Sequence, residues 1–206
     1  ESFKINGYYR DSDDLNFDIK ISDVLVKNFF DINKNPISGS INSDINIRRS
    51  IENRTFRLDS NFSDLQIKDY DLGQLSVNVF GNTDYNSYAI NIDLSKEELT
   101  SVKGEGSIIV TDEDPNIDID IIIEDFDISF IEKIGSNTIS NISSIVSGEI
   151  NLWGQTNNIQ HNGKLYLNQS KFKVPYLNIE YFLSENSEID LYNQNFEFNN
   201  VNIQTE

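Results

Sequence analysis

The chain has no cysteine and no methionine, and histidine occurs once. Without cysteine there is no disulfide framework, no thiolate metal site and no cysteine nucleophile. No apolar run approaches the roughly 18 residues that a membrane-spanning helix needs. Because methionine is missing even at the first position, we expect the chain to be a fragment of a longer protein or a processed product, with any membrane anchor outside it.

Basic residues are scarce relative to acidic ones, 16 against 34, and the formal net charge is −18. This balance argues against a nucleic-acid partner, because a phosphate backbone needs lysine and arginine to displace its counterions. It also argues against simple electrostatic docking on an anionic lipid surface. The acidic excess instead predicts a well-solvated surface.

Residues suited to catalysis are equally scarce. The one histidine, His161, lies in the polar segment Asn157–Asn162 with no second histidine nearby. This predicts a solvated loop residue rather than a metal ligand or a general base. Gly104 and Gly106 do not open a helix after a strand, which argues against a dinucleotide-binding loop. With no nucleophile and base in a suitable arrangement, the sequence predicts a non-enzyme without metal or cofactor.

The stretch from Val146 to Tyr181 displays the pattern on which the whole chain is built. Apolar residues and glycines fall on alternate positions, as in Gly148, Ile150, Leu152 and Gly154, and polar residues lie between them. A period of two is typical of β-strands with one apolar and one polar face. Nearly every other segment repeats it, so we predict an all-β fold made of one long, one-sided sheet.

Two segments depart from this alternation. Val24–Phe30 fits a short helical turn, and the stretch from Ser129 to Ser147 predicts one or two short helices. In that stretch Ser129–Glu132 has the form of a capping box, and helical spacing is kept by Ile139, Ile142, Ile145 and Val146. Short polar loops favour antiparallel neighbours. No linker marks a boundary, so we expect a single module over residues 1–206 with a weak internal repeat of 1–110 and 111–206.

The function of a one-sided sheet depends on what covers its apolar face. In an open groove, the bulky residues of the apolar parity would contact lipid acyl chains. The residues that we predict to line such a groove are Phe17, Ile19, Ile41, Ile67, Val77, Val79, Ile90, Ile92, Ile108, Val110, Ile119, Ile121, Ile150, Leu152, Leu165, Leu167, Val174, Ile179, Ile189 and Leu191.

Most of the chain resembles the C-terminal region of the TamB family, the translocation and assembly module subunits among the AsmA-like proteins, especially members of the Bacteroidetes type. The resemblance lies in the order and spacing of short motifs rather than in any single one. These motifs are Tyr70–Leu75, Val146–Gly154, Gly163–Leu167, Phe172–Asn178 and Phe196–Ile203.

The resemblance implies a fold called a β-taco, a long, curved antiparallel sheet folded into a U with an apolar groove inside. It implies the periplasmic region of a protein anchored in the inner membrane of a Gram-negative bacterium, meeting a BamA-family barrel in the outer membrane. It also implies roles in phospholipid movement between the membranes and in assembly of outer-membrane proteins. No catalytic residue comes with the family.

Three functions remain open at this point. The first is a lipid-conducting groove module, which the monotonous apolar lining favours. The second is a structural or chaperone module that guides other β-strands by pairing at the sheet edge. The third is an extracellular β-sandwich or β-solenoid that binds carbohydrate or acts as an adhesin, with its apolar faces fully buried. An open apolar face would separate the first from the third.

Overall fold

A single antiparallel sheet contains every strand of this computed structural model, which describes residues 1–29, 37–82, 84, 86–96, 99–111, 114–134, 139–185 and 187–205. From β1 to β10 each strand pairs with the next one along the chain. The prediction of an all-β fold with antiparallel neighbours is confirmed. These strands are β1 (Ser2–Asp11), β2 (Asp14–Leu25), β3 (Ile37–Arg49), β4 (Arg54–Ile67), β5 (Tyr70–Asn82), β6 (Ser87–Lys96), β7 (Leu99–Ile109), β8 (Asn116–Asp127), β9 (Ser140–Gln155) and β10 (Asn158–Val174).

Beyond β10 the sheet divides into two short branches. β11 (Ile179–Leu183) pairs with the last residues of β10, and β12 (Ser187–Tyr192) pairs with its middle. β13 (Asn195–Asn199) follows β12 in the sheet, and β14 (Ile203–Thr205) follows β11. The two branches therefore extend the same sheet by two further strand positions.

Several strands carry a bulge near the same end of the sheet. Asp23 in β2, Asp64 in β4, Asp125 in β8 and Gln169 in β10 have positive φ, and the pairing register shifts at each of them. Short polar side chains such as aspartate tolerate this left-handed conformation better than apolar ones. Each bulge bends its strand and increases the local twist.

The described part of the stretch from Ser129 to Ser147 contains one short helix, α1 (Ile131–Ile134), so the prediction of a short helix here is confirmed. The helical assignment of Ile142, Ile145 and Val146 is wrong, because these residues belong to β9. Tertiary pairing determines the conformation here in spite of the helical spacing, because β9 is hydrogen-bonded to β8 on one side and to β10 on the other. Ile139 lies in a bend just before the strand.

The other predicted helical turn is a three-residue 3-10 turn, Val26–Asn28, after β2 has continued through Leu25. Phe30 lies outside the described residues. The polar segment around His161 is shorter than the sequence suggested, since only Thr156 and Asn157 form the turn between β9 and β10. The border between residues 110 and 111 falls in the turn between β7 and β8, and these strands pair directly, so the sheet runs unbroken across it.

Candidate functional site

The apolar side chains of neighbouring strands stand directly opposite one another and form rows that cross the sheet. Residues paired across an antiparallel ladder project to the same face, so pairing can be followed from strand to strand. We call the surface made by these rows the apolar face. The first row runs through Ile5, Ile19, Ile45, Leu58, Val79, Ile90, Gly106, Ile119, Leu152 and His161.

Three parallel rows flank the first one on the same face. The second row runs through Phe3, Ile21, Ser43, Ser60, Val77, Ile92, Gly104, Ile121, Ile150, Gly163, Leu191 and Phe196. The third runs through Gly7, Phe17, Ile47, Phe56, Gly81, Tyr88, Ile108, Ile117, Gly154 and Ile159. The fourth runs through Val24, Ile41, Phe62, Leu75, Leu94, Val102, Ile123, Gly148, Leu165, Ile189 and Phe198.

Most of the residues predicted to line a groove lie in these four rows. Leu167 stands beside them, opposite Val146. Ile67, Val174 and Ile179 lie beyond the bulges, at the far end of the sheet, and Val110 lies just past the end of β7. Other members of the rows, such as Leu58 and Ile45, follow the same alternation but were not among the predicted residues.

The apolar face is only partly buried. Among the described residues, just seven apolar side chains are buried, and they include Ile90, Ile119 and Leu191 of the rows. The accessible surface of the whole chain is 13093 Å², whereas a folded monomer of 23.6 kDa is expected to expose about 9,800 Å². The excess means that the sheet leaves surface in contact with solvent that a closed core would bury.

One end of the face is covered by a cluster of three aromatic rings. Phe130 follows β8 and lies 5.7 Å from the ring of Tyr70 and 5.9 Å from that of Phe126. The Tyr70 hydroxyl donates a hydrogen bond to the Asp127 carbonyl at 3.3 Å, and Lys133 pairs with Asp69 at 3.2 Å. Burial raises the pKa of the Tyr70 hydroxyl. No sequence pattern predicts this cluster, because Tyr70 and Phe126 belong to strands that are not neighbours.

The opposite face is polar and carries several ion pairs. Lys164 lies 2.5 Å from Glu188 and 3.3 Å from Asp190, and the hydrogen bonds to these carboxylates raise the pKa of the lysine. The Asp18 carboxylate accepts hydrogen bonds from Arg48 and Asn46, which hold its pKa below the usual value. These groups are at least partly exposed, so they contribute solubility more than stability.

His161 lies on the apolar face and not in a solvated loop as predicted. It belongs to β10, stands opposite Leu152, and its ring centroid is 5.2 Å from that of Phe196. Its Nδ1 is buried and has no hydrogen-bond partner among the described residues. Asn158–Asn162 looked like a loop because its composition is polar, but it is the start of a strand whose inward positions are Ile159 and His161.

Within the described ranges, no helix is long and apolar enough to cross a membrane. Nor do three acidic or histidine side chains come together there as metal ligands. Comparison with family models finds no match, and comparisons with curated proteins and with solved structures find none either.

Proposed function

We propose that this chain is a groove module of a TamB-like protein that conducts phospholipids between the inner and outer membranes. The observation that carries the proposal is the set of apolar rows, which cross the sheet from β1 to β10 without a polar strand between them. Every described strand belongs to the same sheet. The described residues therefore provide no second sheet to cover the rows, and a lipid chain would be a suitable cover.

Two further observations support a U-shaped sheet with the apolar face inside. β5 and β8 are three strand positions apart, which is about 14 Å in a flat sheet, yet the hydroxyl of Tyr70 reaches the carbonyl of Asp127. A concave sheet brings these strand ends together. The bulges at one end of β2, β4, β8 and β10 would bend the sheet along a common line.

The dimensions and energetics of the rows suit a conduit better than a selective pocket. Nine strand spacings give a row about 43 Å long, whereas one leaflet of acyl chains is about 15 Å thick. Burial contributes about 0.8 kcal/mol per CH₂, so a chain of roughly sixteen carbons gains on the order of 10 kcal/mol gross. Because the lining is nearly uniform, sliding along a row changes this free energy little.

The proposed partners follow from the TamB resemblance and from the acidic polar face. Phospholipid acyl chains would occupy the rows, a BamA-family barrel would receive one end of the sheet, and an anchor outside this chain would hold the protein in the inner membrane. The periplasm is the proposed location. The net charge of −18 keeps the polar face hydrated, and an acidic surface does not attract the phosphate groups of lipid head groups.

The first experiment is native mass spectrometry of the chain purified without detergent, with solvent extraction of a parallel sample. We expect co-purifying phospholipid. Cross-linking with a lipid that carries a photoreactive group in its acyl chain should then label residues of the rows and spare the polar face. A lipid-free monomer, or labels spread equally over both faces, would contradict the proposal.

A matched pair of substitutions places the lipid on one face. Ile159 of the third row is 37% exposed and Ile122 on the polar face is 45% exposed, so both tolerate aspartate without burying a charge. Ile159→Asp is expected to lower lipid occupancy about threefold or more, because it removes contacts worth on the order of 1 kcal/mol. Ile122→Asp should leave it unchanged. Ile119→Asp is unsuitable, since a carboxylate at a site that is 7% exposed would unfold the chain.

The second candidate, a module that pairs with other β-strands, is favoured by one observation. All ten residues of the edge strand β1 are exposed, and its backbone is free on one side in the described structure. An unpaired edge of this kind accepts another strand. The partly exposed rows disfavour the third candidate, a closed sandwich, because its inner faces would bury each other.

A further inference from the structure

Three strands of the described sheet, β1, β13 and β14, have a free edge, because each pairs with one neighbour only. The free edges of β1 and β13 resemble each other in chemistry. On the apolar face, β1 ends the rows with Phe3 and Ile5, which are 61% and 54% exposed, and β13 ends them with Phe196 and Phe198, which are 63% and 61% exposed. Exposed apolar side chains at the end of each row, on a strand with an unpaired edge, favour the addition of another strand that would continue the row.

On the polar face the two edges carry opposite charges, each beside a like charge. Lys4 of β1 stands directly opposite Lys20, and Glu197 of β13 stands directly opposite Asp190. Like charges in this position are destabilising. Lys20 pairs with Asp44 and Asp190 pairs with Lys164, whereas Lys4 and Glu197 make no ion pair within the described part of the chain. Each edge therefore presents an uncompensated charge of one sign.

The directions of the strands make the two edges compatible. Neighbours are antiparallel throughout, and β13 therefore runs opposite to β1. If a second copy places its β1 beside β13 with Lys4 facing Glu197, Ile5 falls opposite Phe196. We propose that copies of this chain associate head to tail in this register, β1 of one copy extending the sheet of another at β13.

The chemistry of the contact sets its strength and its salt dependence. An exposed ion pair contributes about 0–1 kcal/mol, and each apolar cross-strand pair about 0.2–1 kcal/mol, so the association is weak and increases with concentration. The charge of −18 on each copy opposes it, and this repulsion is screened beyond about 10 Å at 0.1 M salt. Because the two surfaces differ, further copies add in the same way.

Disulfide trapping tests the register directly, since the chain has no cysteine of its own. Cα atoms of facing residues lie about 4.5–5.5 Å apart, within the range that a disulfide spans. A mixture of Lys4→Cys and Glu197→Cys, distinguished by tags of different length, is expected to form the mixed dimer under mild oxidation. The control mixture is Lys103→Cys with Glu105→Cys, exposed positions in the middle of the same polar face.

Each result of the trapping experiment supports or overturns the proposal. Mixed dimers well above the control support it. Dimers of Lys4→Cys with itself at equal yield would mean that two β1 strands pair symmetrically, and cross-linking no better than the control would mean that the edges do not meet. Either of these overturns it.

Charge reversal provides a second test in the absence of oxidant. By sedimentation velocity, the unaltered chain should show mass above the monomer that grows with concentration. Lys4→Glu alone and Glu197→Lys alone should each weaken association about fivefold, and mixing the two variants should restore it, since each then meets an opposite charge. A strict monomer at all concentrations, or a mixture no better than the single variants, would refute the arrangement.

Discussion

Replacing Ile119 by alanine tests whether the apolar rows are packed as the structure describes. Ile119 lies in the first row, in the middle of β8, and only 7% of it is exposed. Truncating a buried isoleucine loses its transfer free energy and leaves a cavity that the neighbours fill only in part. We expect a loss of about 2–4 kcal/mol in the free energy of unfolding.

Ile122→Ala is the matched control. It lies in the same strand, three residues away, but on the polar face, and it is 45% exposed. About half of its surface is already in water, and solvent fills the space that the removed atoms leave. Its truncation should therefore lower the free energy of unfolding by about 1 kcal/mol or less. The loss of β propensity is common to both substitutions, so the difference between the variants isolates the packing of the apolar face.

The assay is urea unfolding followed by circular dichroism, with equal slopes required before the midpoints are compared. For a chain of this length 1 kcal/mol corresponds to about 2–4 °C, so the Tm of Ile119→Ala should fall by roughly 4–16 °C. Equal losses for the two variants would refute a one-sided sheet. A loss below about 1 kcal/mol for Ile119→Ala would refute the packing of the first row.

Three other perturbations have expected outcomes. Asp18→Asn removes a carboxylate whose pKa is lowered, chiefly by its hydrogen bond with Arg48. The stabilisation that the carboxylate gives is present above about pH 4 and is lost as pH falls through its folded pKa. The difference in urea midpoint between the unaltered chain and Asp18→Asn should therefore be largest at pH 7 and shrink below pH 4. Gly148→Ala should lower the free energy of unfolding by about 2 kcal/mol or more, because φ is +150° and the added Cβ would lie 2.1 Å from a carbonyl oxygen. Gly104→Ala lacks this backbone strain and should lower the free energy of unfolding less, as measured by the same urea titration. Tyr70→Phe loses one hydrogen bond to the carbonyl of Asp127, the last residue of β8. The free energy of unfolding should fall by about 0.5–1.5 kcal/mol, and amide exchange at this end of β8, measured by mass spectrometry, should become faster.

The sequence predicts the strands well because the alternation is strong and local. It fails at β9, where Ile142, Ile145 and Val146 match helical spacing by chance. Ser144 shares the face of Val146, whereas Ile145 projects to the polar face, so the apolar residues of this strand do not alternate. Pairing with β8 and β10 makes the segment a strand, and single-chain periodicity carries no information about that pairing.

The candidate site is predictable in kind but not in arrangement. Alternation identifies residues such as Ile90 and Ile121 as apolar-facing, but only the pairing register places them in rows that cross the sheet. The aromatic cluster of Tyr70, Phe126 and Phe130 depends on the course of the chain after β8, which no local pattern specifies. His161 was misplaced for a compositional reason, since its polar neighbours concealed a strand.

Gly104 bears on whether a second layer covers the apolar face. It stands between Ile92 and Ile121 on that face, and a Cβ at this position would lie 3.3 Å from the Cβ of Ile92 and 3.6 Å from the Cγ2 of Ile119. Side chains on the inner side of a curved sheet converge, so a position without a side chain among bulky ones relieves crowding. In a flat sheet packed against a second layer the same glycine would leave a void, and voids in a close-packed core are destabilising. Gly104 therefore favours the proposed concave sheet over a closed sandwich, independently of how much of the face is exposed.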